Sequence, residues 1–110
     1  MNLPDYNSPS ALKEILSSNS MAMQKKFGQN FLINENARIK LIDALSLDSS
    51  STVWEVGPGL GAMTSEILRR GALLKVFEID KGFIALLKVF FKDEIKSGQM
   101  QIIECDVLKT

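Results

Sequence analysis

The run Val53-Trp54-Glu55-Val56-Gly57-Pro58-Gly59-Leu60-Gly61 leaves this chain few choices of fold. Its first four residues are largely apolar and include two β-branched valines, which predicts a buried strand of the parallel-sheet kind. Glycines then stand at alternate positions, 57, 59 and 61, and a helical run follows from Met63 to Arg70. Strand, glycine turn and helix together open a βαβ nucleotide-binding unit. Glycine suits the turn because it accepts positive φ and puts no Cβ between the backbone and a ligand. The N–H groups at the helix start favour a polar or anionic ligand group. Such turns are common, so the flanking residues must say what this one binds.

Two acidic residues narrow the choice. Glu78 lies 21 positions beyond Gly57, at the end of the apolar run Leu73-Leu74-Lys75-Val76-Phe77. Rossmann-type units place a carboxylate there for the hydroxyls of a ribose, since it can accept both protons. A third run, Met100-Gln101-Ile102-Ile103-Glu104-Cys105, ends in Asp106, which could accept from an adenine amine. Three consecutive strands ending in Gly57, Glu78 and Asp106 would set all three along one sheet edge. The ligand would then carry an adenine, a ribose and a third part facing the glycines.

Composition excludes several classes. With 110 residues, no histidine, one cysteine and a net charge of zero, one globular domain at most is expected. Cys105 has no partner for an internal disulfide, so a reducing compartment is the default, and nothing beside it would lower its pKa. It reads as a buried structural thiol. No apolar run reaches the roughly 18 residues that span a bilayer, and the polar N-terminus lacks a signal-peptide core. The expectation is a soluble, cytoplasmic protein without metal or membrane association. The charge balance gives no support for a phosphate-binding surface.

Along the chain, Ser8-Pro9 predicts a helix start, with Ala11, Leu12, Ile15 and Leu16 on one face. This N-terminal element reads as an accessory helix with no chemistry of its own. The stretch Lys25-Lys26-Phe27-Gly28-Gln29-Asn30-Phe31-Leu32 reads, from spacing alone, as a basic turn anchored by its aromatics. Asn34 should cap a helix from Glu35 to Leu45 that buries Ile39, Ile42 and Leu45. After the glycine turn, Met63, Ile67 and Leu68 form the apolar side of the next helix, and Gly71 stops it. Beyond Asp80, one helix carrying Phe83, Ile84, Leu87, Phe90 and Phe91 should run to Ser97-Gly98. The order α-α-β-α-β-α-β implies a parallel sheet with right-handed crossovers.

Gln29-Asn30-Phe31-Leu32, Glu55-Val56-Gly57-Pro58-Gly59-Leu60-Gly61, Glu78-Ile79-Asp80 and Asp106 together resemble the bacterial ribosomal RNA adenine dimethyltransferase family. These are the kasugamycin-sensitivity dimethylases, which modify two adjacent adenosines near the 3′ end of small-subunit rRNA. Any one motif is shared by many methyltransferases. The Phe-Gly-Gln-Asn-Phe-Leu block joined to Glu-Val-Gly-Pro-Gly is far more specific. The resemblance runs from about Ser8 to Thr110. It implies an α/β, Rossmann-like class I methyltransferase fold, truncated after the third parallel strand. Residues 1–22 would be an accessory helix and linker, and residues 23–110 the first part of the methyltransferase domain.

The resemblance further implies S-adenosylmethionine as cofactor. Asn30 and Leu32 would border its methionine end, Gly57 would admit it to the backbone, Glu78 would hold the ribose, and Asp106 would meet the adenine amine. Glu55, ranked below these, would orient the turn or the cofactor's amino group. The partner of the full-length enzyme would be small-subunit rRNA or a pre-30S particle. The family's Asn-(Leu/Ile)-Pro-(Tyr/Phe) motif, which holds the target amine and stacks its base, follows a fourth strand. The chain ends four residues past Asp106, so no catalytic residue is expected before Thr110 and no methyl transfer by the fragment alone. Without a fourth strand, Val53–Val56 would be an apolar edge open to self-association.

Three alternatives stand beside this reading. The erythromycin-resistance dimethylases of large-subunit rRNA share much of the pattern. An NAD-binding half-domain would satisfy the looser G-x-G-x-x-G/A fingerprint with Gly57 to Ala62, but needs neither the Gln-Asn-Phe-Leu block nor Asp106. A non-catalytic RNA-binding module is disfavoured by the zero net charge.

Overall fold

Ser8 and Pro9 start the first helix as their chemistry requires. Ser8 Oγ accepts the Ala11 N–H at 3.2 Å, and proline takes the first helical position, where no N–H is needed. The computed structural model describes residues 3–18 and 34–106. Within them the order is α1 (Pro9–Ser18), α2 (Glu35–Ala44), β1 (Thr52–Val56), α3 (Ala62–Arg69), β2 (Leu73–Glu78), α4 (Lys81–Phe90), α5 (Lys92–Ser97) and β3 (Met100–Glu104). Two further helix starts carry side-chain caps: Asn34 Oδ1 accepts from Ala37 N and Asp80 Oδ1 from Phe83 N, both at 3.0 Å. Among the described residues no helix is long and apolar enough to cross a membrane.

The strands pair in parallel in the order β1-β2-β3. Val53 lies beside Leu74, which lies beside Met100, and Val56 lies beside Phe77, which lies beside Ile103. Because side chains alternate across a strand, this register sorts them into two faces. Leu74, Val76 and Met100 are buried and join one core with Leu12, Leu16, Ile42, Ile67, Leu87 and Phe91 from the helices. Trp54, Val56 and Leu73 lie on the opposite face, with Trp54 69% exposed and its ring edge-on to Phe77 at 5.7 Å.

Four expectations are corrected here. The first strand was expected to be buried, but it alternates between half-buried and exposed because the described helices pack against only one face. Leu45 was expected inside, yet it is 52% exposed, and Arg38 is buried on that helix instead. The face that turns inward is the Arg38–Ile42 row, since the Arg38 guanidinium reaches Asn7 Oδ1 at 2.6 Å. The single helix expected after Asp80 is two, broken at Phe91, whose φ of −115° and ψ of 33° leave the helical region. Cys105 is half-buried rather than buried, at the margin of the sheet beyond β3.

Phe91, at the break, packs against the glycine turn. A Cβ on Gly61 would stand 2.6 Å from Cε2 of the buried Phe91 ring, so only glycine lets α3 begin against this side chain. A Cβ on Gly57, also at positive φ, would meet nothing within 4 Å among the described residues. Gly61→Ala combines left-handed strain with overpacking and is expected to cost about 3 kcal/mol, against about 1–2 kcal/mol for Gly57→Ala, read by urea denaturation. The outer edge of β1, unpaired among the described residues, and the exposed Trp54 lead to a second expectation: sedimentation velocity should show concentration-dependent association of the chain, reduced by Trp54→Lys.

Candidate functional site

The parallel register brings the ends of all three strands to one edge of the sheet. Gly57 follows β1 directly, and its N–H donates to Phe77 O at 2.9 Å, which continues the β1–β2 ladder. Glu78 closes β2 beside Glu104 of β3, and the Cys105 N–H donates to Glu78 O at 3.2 Å. Asp106 follows at once, half-buried, at the end of β3. The structure therefore sets Gly57 and Glu78 side by side at that edge, with Glu104 next in register and Asp106 two residues further along the chain. Asn30 and Leu32 lie outside the described residues.

Each of the three has a definite setting. Gly57 has φ +64°, and the space a Cβ would take is empty, so a ligand can come against the backbone there. Glu78 is buried, and its Oε2 accepts the N–H groups of Ile79 at 2.9 Å and Asp80 at 3.0 Å. Those two bonds fix the carboxylate, while Oε1 accepts nothing among the described residues and is left for a further donor. Asp80, the cap of α4, holds the loop that supplies both amides. The edge thus offers a bare backbone, a pre-oriented acceptor and a second carboxylate. Among the described residues no group of His, Cys, Asp and Glu is placed to hold a metal ion.

Beneath the glycine turn lies a polar cluster that the sequence showed only in part. Glu55 shares the covered face of β1, and its Oε1 accepts the Thr64 hydroxyl at 2.5 Å. Thr64 is fully buried in the first turn of α3. Tyr6 approaches from the N-terminal side, donating its hydroxyl to Leu60 O at 2.8 Å. Sequence reading ranked Glu55 low and missed Thr64, Tyr6 and Arg38. Thr64 carried a weak signal, as a hydroxyl one turn into the helix that follows the glycines. Tyr6 lies 54 residues from its acceptor, and no local pattern reports such a contact.

Burial pushes the Glu55 carboxyl from its ordinary 4.5 up to about 7, and the Thr64 hydroxyl offsets only part of this. The native state therefore keeps a proton that the unfolded chain releases near pH 4.5. Stability should fall as pH rises from about 4.5 to about 7 and then level off. Glu55→Gln is expected to remove that decline. It should match the unsubstituted chain near about pH 4 and exceed it near about pH 8 by on the order of 2 kcal/mol, measured by urea denaturation.

With this geometry in place, comparison with known proteins identifies the chain's relatives. The family model for ribosomal RNA adenine dimethylase matches residues 20–110. A ribosomal RNA small subunit methyltransferase A from Treponema denticola is 55% identical over 106 residues, which are 96% of this chain and 36% of that protein. The chain thus spans about a third of the length of this relative. Of solved structures, the 23S rRNA methyltransferase ErmE superposes with TM-score 0.54 at 22% identity, over 70% of this chain and 30% of its own. Coclaurine N-methyltransferase, bound to N-methylheliamine and SAH, superposes with TM-score 0.53 at 13% identity, over 100% of this chain and 34% of its own. At such identities these two establish the fold, an α/β Rossmann-like arrangement that methyltransferases use. The match over residues 20–110, together with the motifs it contains, places the chain in the ribosomal RNA adenine dimethylase family.

Proposed function

We propose that this chain is the cofactor-binding part of an enzyme that carries methyl groups from S-adenosylmethionine to adenosines of small-subunit ribosomal RNA. One observation carries the reading: Gly57, Glu78 and Asp106 stand at or just past the ends of three neighbouring parallel strands, on a single sheet edge. That is the spacing an adenosine needs if its ribose and base lie across neighbouring strands, about 4.8 Å apart. The small-subunit target is supported by the 55% identity to the Treponema denticola protein of that name. The proposed pair of substrate adenosines, adjacent and near the 3′ end, follows from the family resemblance, as does a cytoplasmic ribosomal particle as partner.

The residues present fit this cofactor. Empty space in front of Gly57 would take the methionine-bearing part without a Cβ in its way. Glu78, held by two backbone amides, would accept both ribose hydroxyls without first having to be ordered. Asp106 would accept from the adenine amine, which separates adenine from bases lacking a donor there. Asn30 and Leu32 are assigned to the methionine end by the resemblance, within a cofactor-binding part of residues 23–110. When bound, the cofactor supplies an electrophilic methyl group. The adenine amine it meets is a weak nucleophile, so the enzyme's gain comes chiefly from holding the two in line. The residues named here do the first half of that work by fixing the donor.

Titration calorimetry of the chain with S-adenosylmethionine, and separately with NAD, tests the proposal. Binding of the first and not the second is expected. Glu78→Gln keeps one acceptor oxygen for its loop but can no longer take both ribose protons, and should weaken donor binding about tenfold or more. Preference for the dinucleotide, or unchanged donor affinity in Glu78→Gln, would sink the reading.

A further inference from the structure

We infer that Tyr6 is a positioning residue of the cofactor site: its hydroxyl holds the Leu60–Gly61 peptide, so the N-terminal arm sets the shape of the glycine turn. This rests on the function proposed above, and assigns a role to a segment that sequence reading left without one. The contact is specific. Tyr6 Oη donates to Leu60 O at 2.8 Å, with the ring packed against the core beside the turn.

The peptide it holds lies between two glycines. Residues 59 and 61 are glycines with φ of +58° and +92°, so the backbone on either side of Leu60 has wide freedom. The Gly61 N–H donates to Pro58 O at 3.0 Å inside the turn. The carbonyl of the same peptide points the other way and receives the Tyr6 hydroxyl. Both polar ends of the unit are thereby tied, one from within the turn and one from 54 residues away. Its orientation then governs where α3 starts and where the turn's amides face.

Tyr6 is itself anchored independently of the turn. Asp5 folds the segment back, its Oδ1 accepting the Asn7 N–H at 3.0 Å and its carbonyl the Ser8 N–H at 3.1 Å. Asn7 Oδ1 takes the buried Arg38 guanidinium at 2.6 Å, and Asn7 Nδ2 donates to Glu35 Oε2 at 3.2 Å, which ties the arm to α2. Leu12 and Leu16 then bury α1 in the core. Desolvation first, then the Glu55 charge, raise the phenol's pKa above its usual value against the pull of Arg38. Tyr6 therefore remains a hydroxyl donor throughout the pH range in which Glu55 titrates.

Tyr6→Phe in the 110-residue chain removes only the hydroxyl and keeps the packed ring. Three readouts separate positioning from bulk stability: the melting temperature, amide hydrogen exchange by NMR, and the S-adenosylmethionine dissociation constant. Expected are a melting temperature within a few degrees of the unsubstituted chain, Gly61 amide exchange faster by about three- to tenfold, and donor binding weaker by a similar factor. Exchange within β2 and β3 should not move. Unchanged Gly61 exchange would overturn the inference, and so would acceleration shared equally by turn and sheet. If the unsubstituted chain fails to bind the donor, the proposed function fails. The exchange measurement still decides whether Tyr6 holds the turn.

Discussion

The close approach of Gly61 to Phe91 is the contact on which the site depends. Without a Cβ at residue 61, the first turn of α3 settles directly on the Phe91 ring, which in turn ends α4 and starts α5. This sets the angle at which α3 leaves β1, and with it the position of Thr64 over Glu55. A larger residue would lift the helix, open the gap filled by Phe91 and release the polar cluster beneath the turn. Gly57, by contrast, has no neighbour among the described residues within 4 Å of where a Cβ would stand, so its lack of a side chain is not a packing requirement there. Two glycines four positions apart thus answer to different demands, and packing is one of them only at Gly61.

Local chemistry made most of this architecture readable in advance. Ser8 and Asn34 announced their helices because a cap is a bond between near neighbours, and each makes that bond. Gly57 and the strand ends at Glu78 and Asp106 were readable because a parallel βαβ succession aligns consecutive strand termini. What escaped was set by distant partners. Leu45 matched the apolar spacing of its helix but lost the inner face to Arg38, whose partner Asn7 lies 31 residues away. The helix breaks at Phe91, whose ring packs against a glycine 30 positions earlier, a contact that periodicity within the helix does not register. Tyr6 and its acceptor are farther apart still. Residues whose role is decided by a neighbour in space, with no pattern in sequence, are the ones a single chain conceals.

The polar cluster under the turn bears on which ligand the edge can accept. A dinucleotide would bring a pyrophosphate to the glycines, where Rossmann turns meet it with helix N–H groups. Here the carboxyl of Glu55 sits beneath that turn on a strand interior, already desolvated enough to titrate near 7. An anion placed above it would raise the cost of ionising Glu55 further, and Glu78 and Asp106 line the same edge. A ligand whose charged part is cationic reverses the sign: a sulfonium and an ammonium would favour the ionised carboxylate and offset its desolvation. Under the proposed function, the same half-buried acid that lowers the stability of the empty fold at neutral pH would select between two ligands that share an adenosine. In that reading Gly57, Glu78 and Asp106 would recognise what those ligands have in common. Glu55, held by Thr64 and roofed by the turn that Tyr6 clasps, is where they differ.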